Sequence, residues 1–286
     1  LAGVAPLGAD PAFLPDGVAV AEDEFQVLGL SHHDLDVSNE DMVHRAVSTS
    51  KPDVIVHLAA YTAVDKAETD RDTCFAVNEL GAKYLSQAAR ANGAHFIAVS
   101  TDYVFDGDKG ASYNEEDEVN PLSVYGASKM AGELWCAPDD TIVRTSWVMG
   151  VRGKNVVHVI AERAKNNQVV KFVTDQTGTV TGSSDLAQAL VPLIRRRPGG
   201  IWHVANAGTT TWFDVAHYVG ELLGRDDAFA TPILTKELDP QPLAHRPTRS
   251  DLDTTKYATA FAALPDWREV VARLVRDRER LVKETP

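Results

Sequence analysis

Pro52-Asp53-Val54-Ile55-Val56-His57-Leu58-Ala59-Ala60 is the stretch that decides the fold. It is a short, continuous apolar run that closes on two small residues. Central strands of a parallel sheet, buried on both faces, read this way. Small residues at the carboxyl end of such a strand let a flat ligand approach the backbone. The crevice beyond those ends is where open α/β sheets bind ligands.

The flanking segments extend the pattern. Upstream, Phe25–Leu30 reads as a strand, with Ser31 and the two histidines after it where an adenosine ribose would be read. Ser38 is placed to cap a helix from Asn39 to Ser50. Asp36, two residues earlier, either contacts an adenine or helps to cap that helix. Downstream, a helix is expected from Asp70 to Asn92, stopped by Gly93. Ala94–Ser100 is the next strand, Val124–Trp135 the next helix, and Thr141–Val148 a further strand. Beyond it the alternation loosens, with an extended segment near Phe172–Thr181 and a helix from Ser184 to Arg196. A strand at Gly200–Asn206, a helix from Trp212 to Leu223 and a last helix from Asp266 to Lys283 complete the reading. The predicted class is α/β, a Rossmann-type doubly wound parallel sheet with a smaller α/β C-terminal part. The nucleotide domain would span 1–147 with returning segments near 172–210. The substrate part would take about 148–171 and 211–286.

Such a fold begins with a strand and a glycine-rich turn that holds a pyrophosphate at a helix N-terminus. Here the glycines are Gly3 and Gly8, with Pro6 between them. Either residues precede Leu1 or the phosphate loop is unusual.

The chemistry concentrates in Ser123-Val124-Tyr125-Gly126-Ala127-Ser128-Lys129, read with Ser100-Thr101-Asp102. On a helix, Tyr125 and Lys129 share one face a turn apart. An unperturbed phenol is a poor acid or base near neutrality. A neighbouring ammonium would lower its pKa. Tyr125 could then exchange a proton with a carbonyl or alcohol oxygen as hydride moves at carbon, and Thr101 could hold the same oxygen.

Bulk properties bound the partners. The 286 residues carry a formal net charge of −13. That argues against broad binding to nucleic acid or to an anionic membrane surface. No apolar run is long enough to span a bilayer. Cys74 and Cys136 lie far apart, with no C-x-x-C pair, so neither a zinc site nor a disulfide framework is expected. No signal-peptide pattern is read at Leu1, and the expected location is cytoplasmic. No metal is expected. Oligomeric state is left open, a homodimer being one arrangement the chain allows.

Several motifs together resemble one family. They are Ala59–Glu68, Ser100–Gly107, Val124–Glu133, Arg144–Val148, Asp175–Gly178 and Gly208–Trp212. In this order they resemble the dTDP-4-dehydrorhamnose reductases, members of the extended short-chain dehydrogenase/reductases. The resemblance covers roughly Asp34 to the C-terminus. It implies NADPH- or NADH-dependent reduction of a dTDP-linked 4-keto-6-deoxyhexose. Tyr125 would donate the proton, Lys129 would hold the nicotinamide ribose, and Thr101 would polarise the ketone. Asp36 and Val37 would line the adenine, and Ala59, Ala60 and Tyr61 the ribose and phosphate. Gly3, Gly8 and Ser31 would complete the cofactor site. Thr101, Asp102, Tyr125 and Trp147 would meet the sugar. Arg246 and Arg249 would meet the diphosphate, guanidinium forks being suited to phosphate oxygens, or would form surface salt bridges. Asn78 matches a helix asparagine that supports a proton relay, and Trp212 is expected in the core. Cys136 follows the Tyr125 helix, away from the crevice, which argues against an added epimerase acid/base. The alternative expectation is a non-catalytic relative of the same fold, like the β-subunit-like proteins that bind methionine adenosyltransferase.

Overall fold

The computed structural model describes residues 25–284. Its elements run, in order, α1 (Glu40–Ser50), β1 (Val54–His57), α2 (Val64–Ala67), α3 (Arg71–Phe75), a π-helical turn (Ala76–Leu80), α4 (Gly81–Asn92), β2 (His95–Thr101), α5 (Val124–Glu133), β3 (Thr141–Thr145), β4 (Val148–Met149) and α6 (Val156–Lys165). There follow β5 (Val170–Val173), β6 (Thr177–Gly178), β7 (Thr181–Gly182), α7 (Ser183–Arg196), β8 (Gly200–His203), β9 (Thr210–Thr211), α8 (Trp212–Leu222), β10 (Ala230–Ile233), α9 (Thr255–Ala260) and α10 (Trp267–Glu284).

The main sheet has the order β1-β2-β3-β8, all parallel. Helices cover both of its faces. One layer packs α1 and α4 through Val43, Val47, Leu85 and Ala89 onto Phe96 and Ala98. The other packs Leu186, Leu190 and Leu193 of α7 onto Ile97 and Val143. Ile97 and Phe96 point to opposite faces, as strand geometry requires, and each is fully buried. This two-faced burial is why the strands read as unbroken apolar runs.

A second core lies away from the sheet. Val157, Ile160 and Ala164 of α6 meet Val215 and Val219 of α8 and Val270, Val271 and Leu274 of α10, with Phe229 and Trp267 filling the centre. The parallel pair β5 and β10 edges it.

Two local expectations are corrected. Phe25–Leu30 forms no strand; residues 26–30 are exposed and pair with no strand among the described residues. The cap of α1 is Asn39, whose side chain accepts from the Met42 amide at 3.0 Å. Ser38 is already engaged, its amide and hydroxyl both donating to Asp36 Oδ1 at 2.9 and 2.7 Å. Gly3 and Gly8 lie outside the described residues. Among the described residues, no helix is long and apolar enough to cross a membrane.

Candidate active site

Strand β2 ends on Ser100-Thr101 and turns at once through a short 3-10 segment, Asp102–Val104. Helix α5 returns alongside that end. Ser123 caps it, its hydroxyl accepting from the Gly126 amide at 3.1 Å. The Glu68 carboxylate accepts from the Val124 amide at 2.9 Å. Two glycines let α5 lie close. A Cβ at Gly126 would stand 2.2 Å from the Tyr103 carbonyl oxygen, and one at Gly132 would stand 2.5 Å from that of Asn78.

This approach brings the predicted trio together. The Tyr125 phenol hydrogen-bonds Thr101, and its ring sits edge-on to Tyr103 with centroids 6.0 Å apart. Burial pushes the Tyr125 phenol up to about 12; the Thr101 bond opposes this, and the Asp102 charge adds to it. The expected downward pull from Lys129 does not appear. Lys129 Nζ instead donates to the Val99 carbonyl at 2.7 Å, and burial brings its own pKa down to about 8. Tyr125 is therefore held as a protonated phenol.

Asp102 is 2 % exposed. Ser250, from the far end of the chain, donates its hydroxyl to Asp102 Oδ2 at 2.5 Å, and Thr101 donates to Oδ1 at 3.1 Å. Burial outweighs these bonds and lifts the Asp102 carboxyl to about 7.

Beside α5 lies the π-helical turn, a feature that tends to mark functional sites. It carries Asn78, buried at 1 % exposure. Asn78 accepts from the Tyr61 amide at 2.8 Å and donates to the Tyr61 carbonyl at 3.1 Å. It also donates to Ser128 on α5 at 2.9 Å. One side chain thus fixes the loop after β1 to the helix that bears Tyr125. Ala59 and Ala60, just before Tyr61, stay open to solvent in whole or part. Val37 packs on Gly81, where a Cβ would stand 2.9 Å from its side chain. Asp36 is turned to Ser38 and Ser31 to Asp34, so both side chains are used locally.

Trp147 has φ +41°, a costly conformation for a bulky residue. It is held there by Trp212, stacked at 3.8 Å and 14°, and by Gly178, where a Cβ would meet the indole at 2.7 Å. Trp212 is therefore the floor beneath Trp147 as well as part of the second core.

The two arginines separate. Arg246 forks onto Asp65 at 3.1 and 2.6 Å and also bonds Tyr103, so it borders the site. Arg249 is bound to Asp251 at 2.8 and 3.3 Å and to the Gly110 carbonyl at 3.3 Å. Both form the salt bridges weighed as their alternative. Residues that sequence reading missed are Ser250, Tyr103 and the pair Glu133–Arg144. Only Glu133 carried a signal, one turn beyond Lys129. Among the described residues, no group of three or more His, Cys, Asp or Glu is placed to hold a metal ion.

The family model described as the RmlD substrate binding domain matches residues 18–280. The chain is 37% identical over 268 residues to the dTDP-4-dehydrorhamnose reductase of Aggregatibacter actinomycetemcomitans, covering 87% of this chain and 90% of that one. It is 37% identical to a probable dTDP-4,6-dihydroxy-2-methyloxan-3-one 4-ketoreductase of Streptomyces antibioticus, over 88% of this chain and 87% of that one. Among solved structures, it is similar to the dTDP-4-dehydrorhamnose reductase of Bacillus anthracis in complex with NADP (TM-score 0.83, 32% identity, 89% and 91% coverage). The Clostridium acetobutylicum reductase gives a TM-score of 0.83 at 34% identity, covering 92% of each chain. On this evidence the chain belongs to the dTDP-4-dehydrorhamnose reductase family.

Proposed function

We propose that this chain is an NADPH-dependent reductase of the C4 ketone of a dTDP-4-keto-6-deoxyhexose, with Tyr125 as proton donor. The observation that carries the reading is the convergence of Thr101, Tyr125 and Lys129 at the end of β2, within a chain of this family.

The described residues fit the nicotinamide end of the cofactor. Lys129 Nζ spends one donor on Val99, and an ammonium has three; two remain for ribose hydroxyls. Ala59 and Ala60 offer backbone without bulk, on a loop that Asn78 holds still. NADPH, when bound, supplies hydride to C4 of the sugar. Thr101 and Tyr125 meet the carbonyl oxygen there. As negative charge develops on that oxygen, the Tyr125 O–H bond breaks and the proton passes to it, leaving alcohol and phenolate. The free phenol, held near 12, keeps its proton until that charge appears. The phenolate is then reprotonated from solvent. Asp102, Trp147 and Arg246 border the sugar and its diphosphate. In the matching division of labour, residues 1–147 and the returning segments near 172–210 bind the cofactor, and 148–171 with 211–286 bind the sugar nucleotide.

The test is Tyr125→Phe, assayed as NADPH oxidation with the 4-keto sugar. Turnover should fall by three orders of magnitude or more, of the size a lost acid and its hydrogen bond produce together (~10³-fold), while NADPH binding is kept. Full turnover in Y125F would refute the reading. A wild-type chain that binds NADPH and reduces no keto sugar would favour the non-catalytic alternative.

A further inference from the structure

Helix α5 carries a third ionisable group on the ridge of Tyr125 and Lys129. Glu133 lies one turn past Lys129, its side chain only 8% exposed. Arg144, on β3 and 3% exposed, forks onto it, Nε to Oε1 at 3.0 Å and Nη2 to Oε2 at 2.7 Å. Ser100 adds its hydroxyl to Oε1 at 2.5 Å. The residue before Ser100 is Val99, whose carbonyl receives Lys129 Nζ. Two cations and one anion therefore share a buried space between α5, β2 and β3.

The other groups facing Lys129 carry no compensating charge. His57 closes β1, fully buried, its Nε2 without a partner. Burial and the nearby ammonium keep it neutral, with a pKa of about 3. Cys74 on α3 and Cys136 beyond α5 are both pushed up by burial and remain thiols at neutral pH. Glu133 is the carboxylate that acts on Lys129, favouring its charged form against burial. An isolated ammonium in this position would shed its proton rather than stay charged.

We infer that Glu133 is a positioning residue: clamped by Arg144 and Ser100, it keeps Lys129 protonated with Nζ at the end of β2. The inference deepens the reductase reading and rests on it for the role of Lys129. Its direct readout does not.

The experiment follows Lys129 in the cofactor-free protein by NMR of ¹³C-labelled lysine, assigned with K129R, in wild type and in E133Q. The Lys129 midpoint should move to lower pH in E133Q. In parallel, the alkaline limb of kcat/KM should move the same way; from a midpoint of about 8, a shift of one unit lowers the ratio of rates at pH 9 and pH 7 about fivefold. Gln at 133 leaves Arg144 buried without a counter-charge, which can prevent folding. E133Q/R144M removes that orphan; the midpoint should again fall, because Glu133 and not Arg144 dominates at Lys129. A Lys129 midpoint unchanged from wild type in a folded variant overturns the inference. Failure of the reductase reading is told apart by the wild type, which would then show no keto-sugar turnover while its Lys129 titration still decides the role of Glu133.

Discussion

Gly126→Ala tests how tightly the catalytic helix must lie against the end of β2. The added Cβ would stand 2.2 Å from the Tyr103 carbonyl oxygen and 3.1 Å from Pro121 Cβ. One obstacle is backbone and the other a rigid ring, so neither yields by rotating. Restoring an ordinary contact moves the start of α5 by about 1 Å. Alanine gains about 1 kcal/mol over glycine in a helix. Overpacking of this kind costs roughly 1–3 kcal/mol, so the net change in stability is small or unfavourable. Activity should suffer more. Tyr125 is the adjacent residue, and a 1 Å error in a reacting group costs about 10²-fold, near 2.7 kcal/mol in the barrier. The assay is kcat/KM for NADPH oxidation with the 4-keto sugar, beside a urea unfolding midpoint and NADPH binding. G126A should lose about two orders of magnitude in kcat/KM while it still binds NADPH and unfolds within a few kcal/mol of wild type. Wild-type kcat/KM in a normally folded G126A would show that the close approach does not position Tyr125.

Acid should destabilise the fold through two histidines. Burial chiefly, and then Lys129 and Arg144 respectively, lowers the pKa of His57 and of His203 to about 3, so both stay neutral well below the usual histidine range. The unfolded state takes up their protons near 6.5, so between about 6.5 and 3 it binds more protons and stability falls as pH falls. Each contributes a slope approaching about 1.4 kcal/mol per pH unit well below 6.5, and urea unfolding of H203Q between pH 6.5 and 5 should show a mean slope flatter by about 1.1 kcal/mol per unit. Asp102 acts in the opposite sense: its folded pKa of about 7 lies above the ordinary 3.8, so its contribution is full below 3.8 and is lost as pH rises to 7. Asp102→Asn should therefore be more stable than wild type at pH 7 and steepen the fall toward pH 5; an unchanged slope would contradict the burial argument.

Much of the fold was legible because local signals agreed. The apolar runs at Val54–His57 and His95–Thr101 needed no partner information to read as strands. The four-residue spacing placed Tyr125 and Lys129 on one face of α5. Where a residue had two uses, reading failed. Asp36 captures Ser38, so the cap passes to Asn39. Helix α6 escaped notice although its buried positions Val157, Ile160 and Ala164 follow helical spacing. Strand β10 exists through its pairing with β5, some sixty residues earlier, and short polar strands of that kind carry little local signal. The Lys129 error has the same origin. Spacing put its ammonium a turn from the phenol, but Nζ turns to a carbonyl on another element.

Side-chain contacts tie the turn after β2 to a segment late in the chain. Ser250 reaches Asp102, Arg246 and the Ala244 amide reach Asp65, and Thr248 donates to the Gly107 carbonyl. Ser112 and Thr209 both donate to Asp251, on the same strap. The segment 244–251 is thus laced across the turn after β2 that holds Thr101 and Asp102. Of these bonds, the Arg246 fork onto Asp65 joins two charged groups, the stronger class of hydrogen bond. In the proposed reading, Thr101, Tyr125 and Lys129 come from neighbours on β2 and α5, whereas Asp102 is completed by Ser250, well over a hundred positions later. That division explains why Thr101, Tyr125 and Lys129 could be read from spacing and Ser250 could not: it has no sequence neighbour that points to Asp102, and its contact exists only once the chain has closed.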